Sequence, residues 1–147
     1  MRDEPRHPLR LSFQKLDVYR CAIEFFAFVV KVSEAAPRGN AALLDQLRRA
    51  GSSVALNIAE AARRTGSADA ARTYAIARGS AMECAAVLDT LLLLGAIEAK
   101  EKAPGDELLE RLVAMLTKLC RLSAGWAGRR RSSSDGTWTL TWTLTLT

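Results

Sequence analysis

An all-α fold, an antiparallel up-down-up-down four-helix bundle, is what this sequence predicts, and three observations carry the expectation. Apolar residues recur at three- and four-residue spacing in four successive stretches, the period of a helix that buries one face. Helix breakers separate those stretches, at Pro37 and Gly39, at Gly66, and at Gly95. The connections are short, so consecutive helices are expected to run in opposite directions.

The first helix is expected from about Phe13 to Ala35, with Leu16, Tyr19, Ile23, Phe26 and Val30 as its apolar stripe. A second carries Leu43, Leu47, Ala50, Val54, Ile58 and Ala61 and runs to about Arg64, where Thr65, Gly66 and Ser67 break the pattern. Ser67 is the expected N-cap of the third. That helix repeats Tyr74, Ala77, Ala81, Cys84, Leu88 and Leu91 at heptad spacing up to Gly95. Pro104, Gly105 and Asp106 then begin a fourth, whose seam is Leu108, Leu112, Met115, Leu119, Leu122 and Trp126. The domain reading is a flexible N-terminal arm over 1–12, the bundle over 13–126, and a basic linker with a Thr/Trp/Leu tail over 127–147.

Small residues crowd the second and third helices. Glycine inside a helix costs about 1 kcal/mol relative to alanine, so Gly51 and Gly79 are expected to mark close backbone approach, with these two helices crossing tightly. The apolar residues Leu92, Leu93, Leu109, Val113 and Leu116 lie beyond the seams. They are more than a core of this size needs, so neighbouring subunits are expected to cover some of them.

The tail breaks with the rest. After Arg129, Arg130, Arg131 and a Ser/Asp/Gly linker, Trp138, Leu140, Trp142, Leu144 and Leu146 stand on alternate positions among threonines. That is period-two patterning in strong β-formers. A lone strand has no partner for its backbone groups, so the tail is disordered, pairs with copies of itself, or adds to a sheet edge on a partner protein.

Composition narrows the function. The chain has 147 residues, 49% apolar and 25% charged, with a net charge of +5. Its longest apolar runs fall far short of the roughly 20 residues that span a membrane, and no apolar signal core opens it; a cytoplasmic protein with no membrane partner is expected. Cys21, Cys84 and Cys120 form no metal-ligand spacing and read as free thiols in a reducing compartment. His7 is the single histidine and lies between Pro5 and Pro8, which leaves no triad and no Glu-x-x-His di-iron site. Neither metal nor cofactor is expected, and no enzymatic activity.

The positive excess is arginine. Residues 37–78 carry seven Arg against three Asp or Glu. Arg48, Arg49, Arg63, Arg64, Arg78 and the run Arg129 to Arg131 are the candidate contacts to a nucleic-acid backbone, since guanidinium suits bidentate phosphate binding. No aromatic residues interleave with them, so contact without base readout is expected for RNA or DNA. A second feature is a polar stripe beside the apolar face of the second helix, Ser53, Asn57, Glu60 and Arg64, with Ser80 and Glu83 on the third. Such residues face solvent, act in catalysis, or form a network that sets helix register or subunit pairing.

Three blocks carry a family resemblance: Phe13-Gln-Lys-Leu-Asp-Val-Tyr, the segment Leu47 to Glu60 with Ser53-x-x-x-Asn57-Ile-Ala-Glu60, and Tyr74-Ala-Ile-Ala-Arg-Gly-Ser80-Ala-Met-Glu83. In this order and spacing, over about residues 11–125, the chain resembles the four helix bundle proteins also called 23S ribosomal RNA intervening sequence proteins. It departs where the family usually has Gly after the Glu, since Ala61 stands there. The resemblance implies a homopentameric ring. It also implies kinship with the accessory variability protein of diversity-generating retroelements, a basic barrel that binds nucleic acid and a reverse transcriptase. Ser53, Asn57, Glu60, Ser80 and Glu83 occupy the family's polar positions. The alternative function is a scaffold that displays several copies of the tail to a partner protein, with avidity raising a weak affinity.

Overall fold

A computed structural model describes residues 11–131 of the chain. Over this span the chain forms a short 3-10 turn, Ser12–Lys15, and four α-helices: α1 Asp17–Ala35, α2 Ala41–Arg63, α3 Ser67–Leu93 and α4 Ala99–Arg131. No strand occurs among the described residues. Each helix packs closely on two neighbours, α1 on α2 and α4, and α3 on α2 and α4. The paired positions Gln46 with Glu83 and Ser53 with Ser80 run in opposite order along α2 and α3.

The core follows the expected faces on α2 and α3. Leu47, Ala50, Val54, Ile58 and Ala61 are buried on α2, and Tyr74, Ala77, Ala81, Cys84, Leu88 and Leu91 on α3. Burying a leucine or isoleucine of this kind contributes about 1.5–3 kcal/mol. Gly95 ends α3 in the left-handed conformation, φ +71°. Its N–H donates to the Leu92 carbonyl and that of Ala96 to Leu91, the paired bonds of a Schellman stop.

α1 differs from expectation in start and in rotation. Leu16 is extended, φ −71° and ψ 131°, so the chain turns once through Ser12–Lys15 before the helix begins at Asp17. The buried residues are Val18, Cys21, Ala22, Phe25, Val29 and Val32, mostly one position before the expected stripe and so about 100° around the helix. Phe25 to Val30 is apolar throughout, and a helix apolar on most sides leaves its periodicity undecided. Ile23 is exposed.

The other helix starts differ as well. α3 is capped by Gly66, not Ser67, with no side-chain bond. α4 begins at Ala99, ahead of Pro104, which lies inside it. Glu101 stabilises that earlier start by accepting the Glu98 N–H at 2.7 Å, half of a capping box. Lys102 then fastens α4 to α3. Its Nζ lies 2.7 Å from both Asp106 oxygens and 2.9 Å from Asp89, with the lysine side chain 12% exposed. Its hydrogen bonds to Asp106 and then Asp89 hold the ammonium above its usual range.

Close approach falls elsewhere than expected. A Cβ on Gly79 would meet nothing within 4 Å, and one on Gly51 would meet Phe26 and Val29 of α1, not α3. The tight position is Gly105, under the ring of Phe28. Leu109 and Leu116 are buried, Val113 is half-buried, and Leu92, Leu93 and Leu122 are exposed. Cys21, Cys84 and Cys120 are free, the first two buried.

Candidate functional site

The polar stripe forms three local groups along α2 and α3. At the centre, Ser53 Oγ and Ser80 Oγ are 2.9 Å apart across the seam, and Asn57 Nδ2 donates to the Ser53 carbonyl at 2.8 Å and to its Oγ at 3.0 Å. Two turns towards the start of α2, Gln46 Nε2 donates to Glu83 Oε1 at 3.1 Å. Both cross-helix bonds join one level of α2 to one level of α3.

Glu60 stays within α2 and its end. Arg63 grips both its oxygens, at 2.6 and 2.8 Å, and Arg64 reaches it at 2.8 Å. The Arg63 hydrogen bond, with the charges of both arginines, holds the Glu60 carboxyl below the usual range, and Arg63 is correspondingly raised. The triad presents two guanidinium groups, fixed side by side, around one carboxylate.

The candidate arginines do not converge on one patch. Arg48 and Arg49 lie fifteen residues before Arg63 and Arg64, about 22 Å along the helix, and Arg49 pairs with Asp45 at 3.3 Å. Arg78 faces the other way, donating to Thr117 Oγ1 on α4 at 3.4 Å. Arg129, Arg130 and Arg131 belong to the last turn of α4, and their side chains lie outside the described residues. The tail positions Trp138, Leu140, Trp142, Leu144 and Leu146 and the arm before Leu11 lie outside them too.

What the helices do assemble is a charge gradient along the bundle axis. α4 carries only basic charges from Arg111 onwards, namely Arg111, Lys118, Arg121 and Arg129 to Arg131, whereas all its carboxylates lie at or before Glu110. The register of Arg78 with Thr117 places that half of α4 beside the start of α3 and the end of α2. Among the described side chains, Lys15, Arg20, Arg63, Arg64, Arg72, Arg78, Lys118 and Arg121 therefore lie towards one end of the bundle, eight cations against the carboxylates Asp17, Glu60 and Asp69. The opposite end holds the Asp89, Asp106 and Glu110 group. A basic C-terminal turn also suits the helix dipole. The gradient is carried by the order of charges along α4, since residues 97–128 hold five Lys or Arg and five Asp or Glu.

Two exposed apolar residues flank the central polar group. Leu56 is 68% and Ile76 50% exposed, and the register of Ser53 with Ser80 sets them at one level on α2 and α3.

Among the described residues no group of three or more His, Cys, Asp and Glu is placed to hold a metal ion, and no helix is long and apolar enough to cross a membrane. Fold and surface together define a class: a small helical bundle with polar contacts across the α2 and α3 seam and a charge gradient along its axis. The family model of the 23S rRNA-intervening sequence protein matches residues 14–118. The chain belongs to that family. No curated protein matches it significantly in sequence.

Proposed function

We propose that this chain is a non-enzymatic, homo-oligomeric up-down-up-down bundle of the cytoplasm that binds the phosphate backbone of RNA or DNA, largely without regard to sequence. The observation that carries the reading is the basic end built from α2, α3 and the second half of α4. Cations gathered at one end raise the local potential more than the same charges scattered. Arg63 and Arg64 stand side by side at this end around Glu60, and guanidinium groups are strong phosphate donors. Exposed Leu56 and Ile76 support assembly, and a pentamer follows from the family resemblance. A ring would repeat the basic end once per subunit.

The test is binding of unrelated RNA and DNA duplexes by fluorescence anisotropy across a salt series. Replacing Arg63, Arg64, Arg72 and Arg121 with Gln should weaken both about equally and lower the salt slope, by about 0.9 for each lost contact to a duplex phosphate. Replacing Arg48 and Arg49 should change little. No binding at low salt, or an unchanged slope in the four-arginine variant, refutes the reading.

A second reading, supported by the alternating Trp138, Leu140, Trp142, Leu144 and Leu146 of the sequence, is a scaffold that presents its C-terminal tail to a partner protein. Deleting residues 132–147 abolishes that function and spares backbone binding.

A further inference from the structure

A groove of about 710 Å³ runs along the outside of α3 and α4. Its floor and walls are apolar: Ala81, Met82, Ala85, Leu109, Val113 and Ala114 among them. Met82, 59% exposed, lies with Ala114 at the end away from Asp89. One end is acidic, with Asp89 and Asp106 on its lip and Lys102 paired to both, and Glu110 follows Asp106 by one turn. One turn beyond the other end Arg78 bridges to Thr117, and Arg121, exposed, follows Thr117 by four residues on the same side of α4. The face is thus apolar in the centre and oppositely charged at its two ends.

We propose that this face is an isologous contact with a second copy of the chain. A two-fold axis crossing the helices at Met82 and Ala114 lays α3 antiparallel on the partner's α3, and α4 on its α4. Both ends are then satisfied by one operation. Asp89 meets the partner subunit's Arg78, Glu110 meets the partner subunit's Arg121, and each pair occurs twice. An axis parallel to the helices would set like ends together, which charge repulsion opposes. Self-complementarity under rotation is what an isologous interface requires, and charge complementarity fixes its register. A neutral or uniformly charged groove would specify no such orientation. The contact rests on the homo-oligomer reading and adds to it, because a ring is closed by two different faces, whereas this face pairs with itself.

Position relative to the axis supplies the test. A residue on a two-fold axis lies against its own copy, so Met82→Cys and Ala114→Cys, each in a Cys120→Ser background, should give disulfide-linked dimers under mild oxidation. Ile76→Cys on the α2 and α3 side should not. Glu110→Lys should lower the cross-linked fraction of the Met82→Cys protein several-fold, and adding Arg121→Glu to the same chain should restore it. Light scattering of each variant before oxidation separates the two readings. Multimers of the Met82→Cys protein that form no cross-link overturn the antiparallel contact and leave the oligomer standing, whether another protein or the chain's own C-terminal segment fills the groove. A monomer overturns both. Cross-linking of the Met82→Cys protein that Glu110→Lys does not disturb overturns the charge-set register.

Discussion

Adding one methyl group at each of two helical glycines should move stability in opposite directions. Gly79 looks onto open space, and Gly79→Ala gains the helix propensity difference of about 1 kcal/mol with nothing to displace. Gly105 gains the same term, but its new Cβ would lie 2.5 Å from Phe28 Cζ and against Cε1 of the same ring. The ring or α1 must then shift. Overpacking of this kind costs about 1–3 kcal/mol, so Gly105→Ala should be destabilised by up to about 2 kcal/mol after the propensity gain. For a chain of this length 1 kcal/mol corresponds to about 4 °C in melting temperature. Urea and thermal unfolding followed by circular dichroism at fixed protein concentration should therefore separate the two variants by several degrees, with wild type between them. Gly105→Ala combined with Phe28→Leu should recover part of the loss, because the two changes share one contact. A Gly105→Ala protein as stable as wild type would show that Phe28 yields freely, and the close approach assigned to Gly105 would be wrong.

Three further outcomes are expected. Glu60→Gln removes the carboxylate that holds Arg63 and Arg64, so it should strengthen binding to nucleic acid and steepen its salt dependence; weaker binding would show that the carboxylate serves by orienting the arginines. Because Glu60 has its pKa lowered on folding, its contribution to stability is present above about pH 4.5 and is lost as pH falls through the folded value. The stability difference between wild type and Glu60→Gln should accordingly shrink on acidification in a urea series. Burial pushes the Cys84 thiol up to about 12, which leaves a negligible thiolate fraction at pH 8; thiol labelling of the native protein should reach half-buried Cys120 first, as peptide mass mapping would show.

The fourfold helical pattern was legible wherever a helix had one apolar face and one polar face. On α2 and α3 the residues Leu47, Val54, Ile58, Ala77, Cys84 and Leu88 stand against alanines, serines and charges, and the 3.6 period admits one burial direction. Gly95 was legible as a stop because only a residue without a side chain takes φ +71° readily. The polar positions Ser53, Asn57, Glu60, Ser80 and Glu83 could be picked out by spacing. Their partners could not, since Ser80 is 27 residues from Ser53 and Glu83 is 37 from Gln46.

By itself, then, the sequence determined how many helices there are, the inward faces of α2 and α3, and the family, because these rest on local periodicity and short ordered motifs. Tertiary structure alone decided the rest. α1 is apolar on most sides, so its rotation was set by what it packs against, Gly51 on α2 and Gly105 on α4. α4 starts before its proline because Glu101 and the Lys102 link to Asp89 stabilise the added turns. The charge gradient arises because the register between helices brings Arg63, Arg72 and Arg121, distant along the chain, to one end of the bundle. Local propensity acts over a few residues, whereas packing and electrostatics act across the gap between helices, and that gap is closed only by folding.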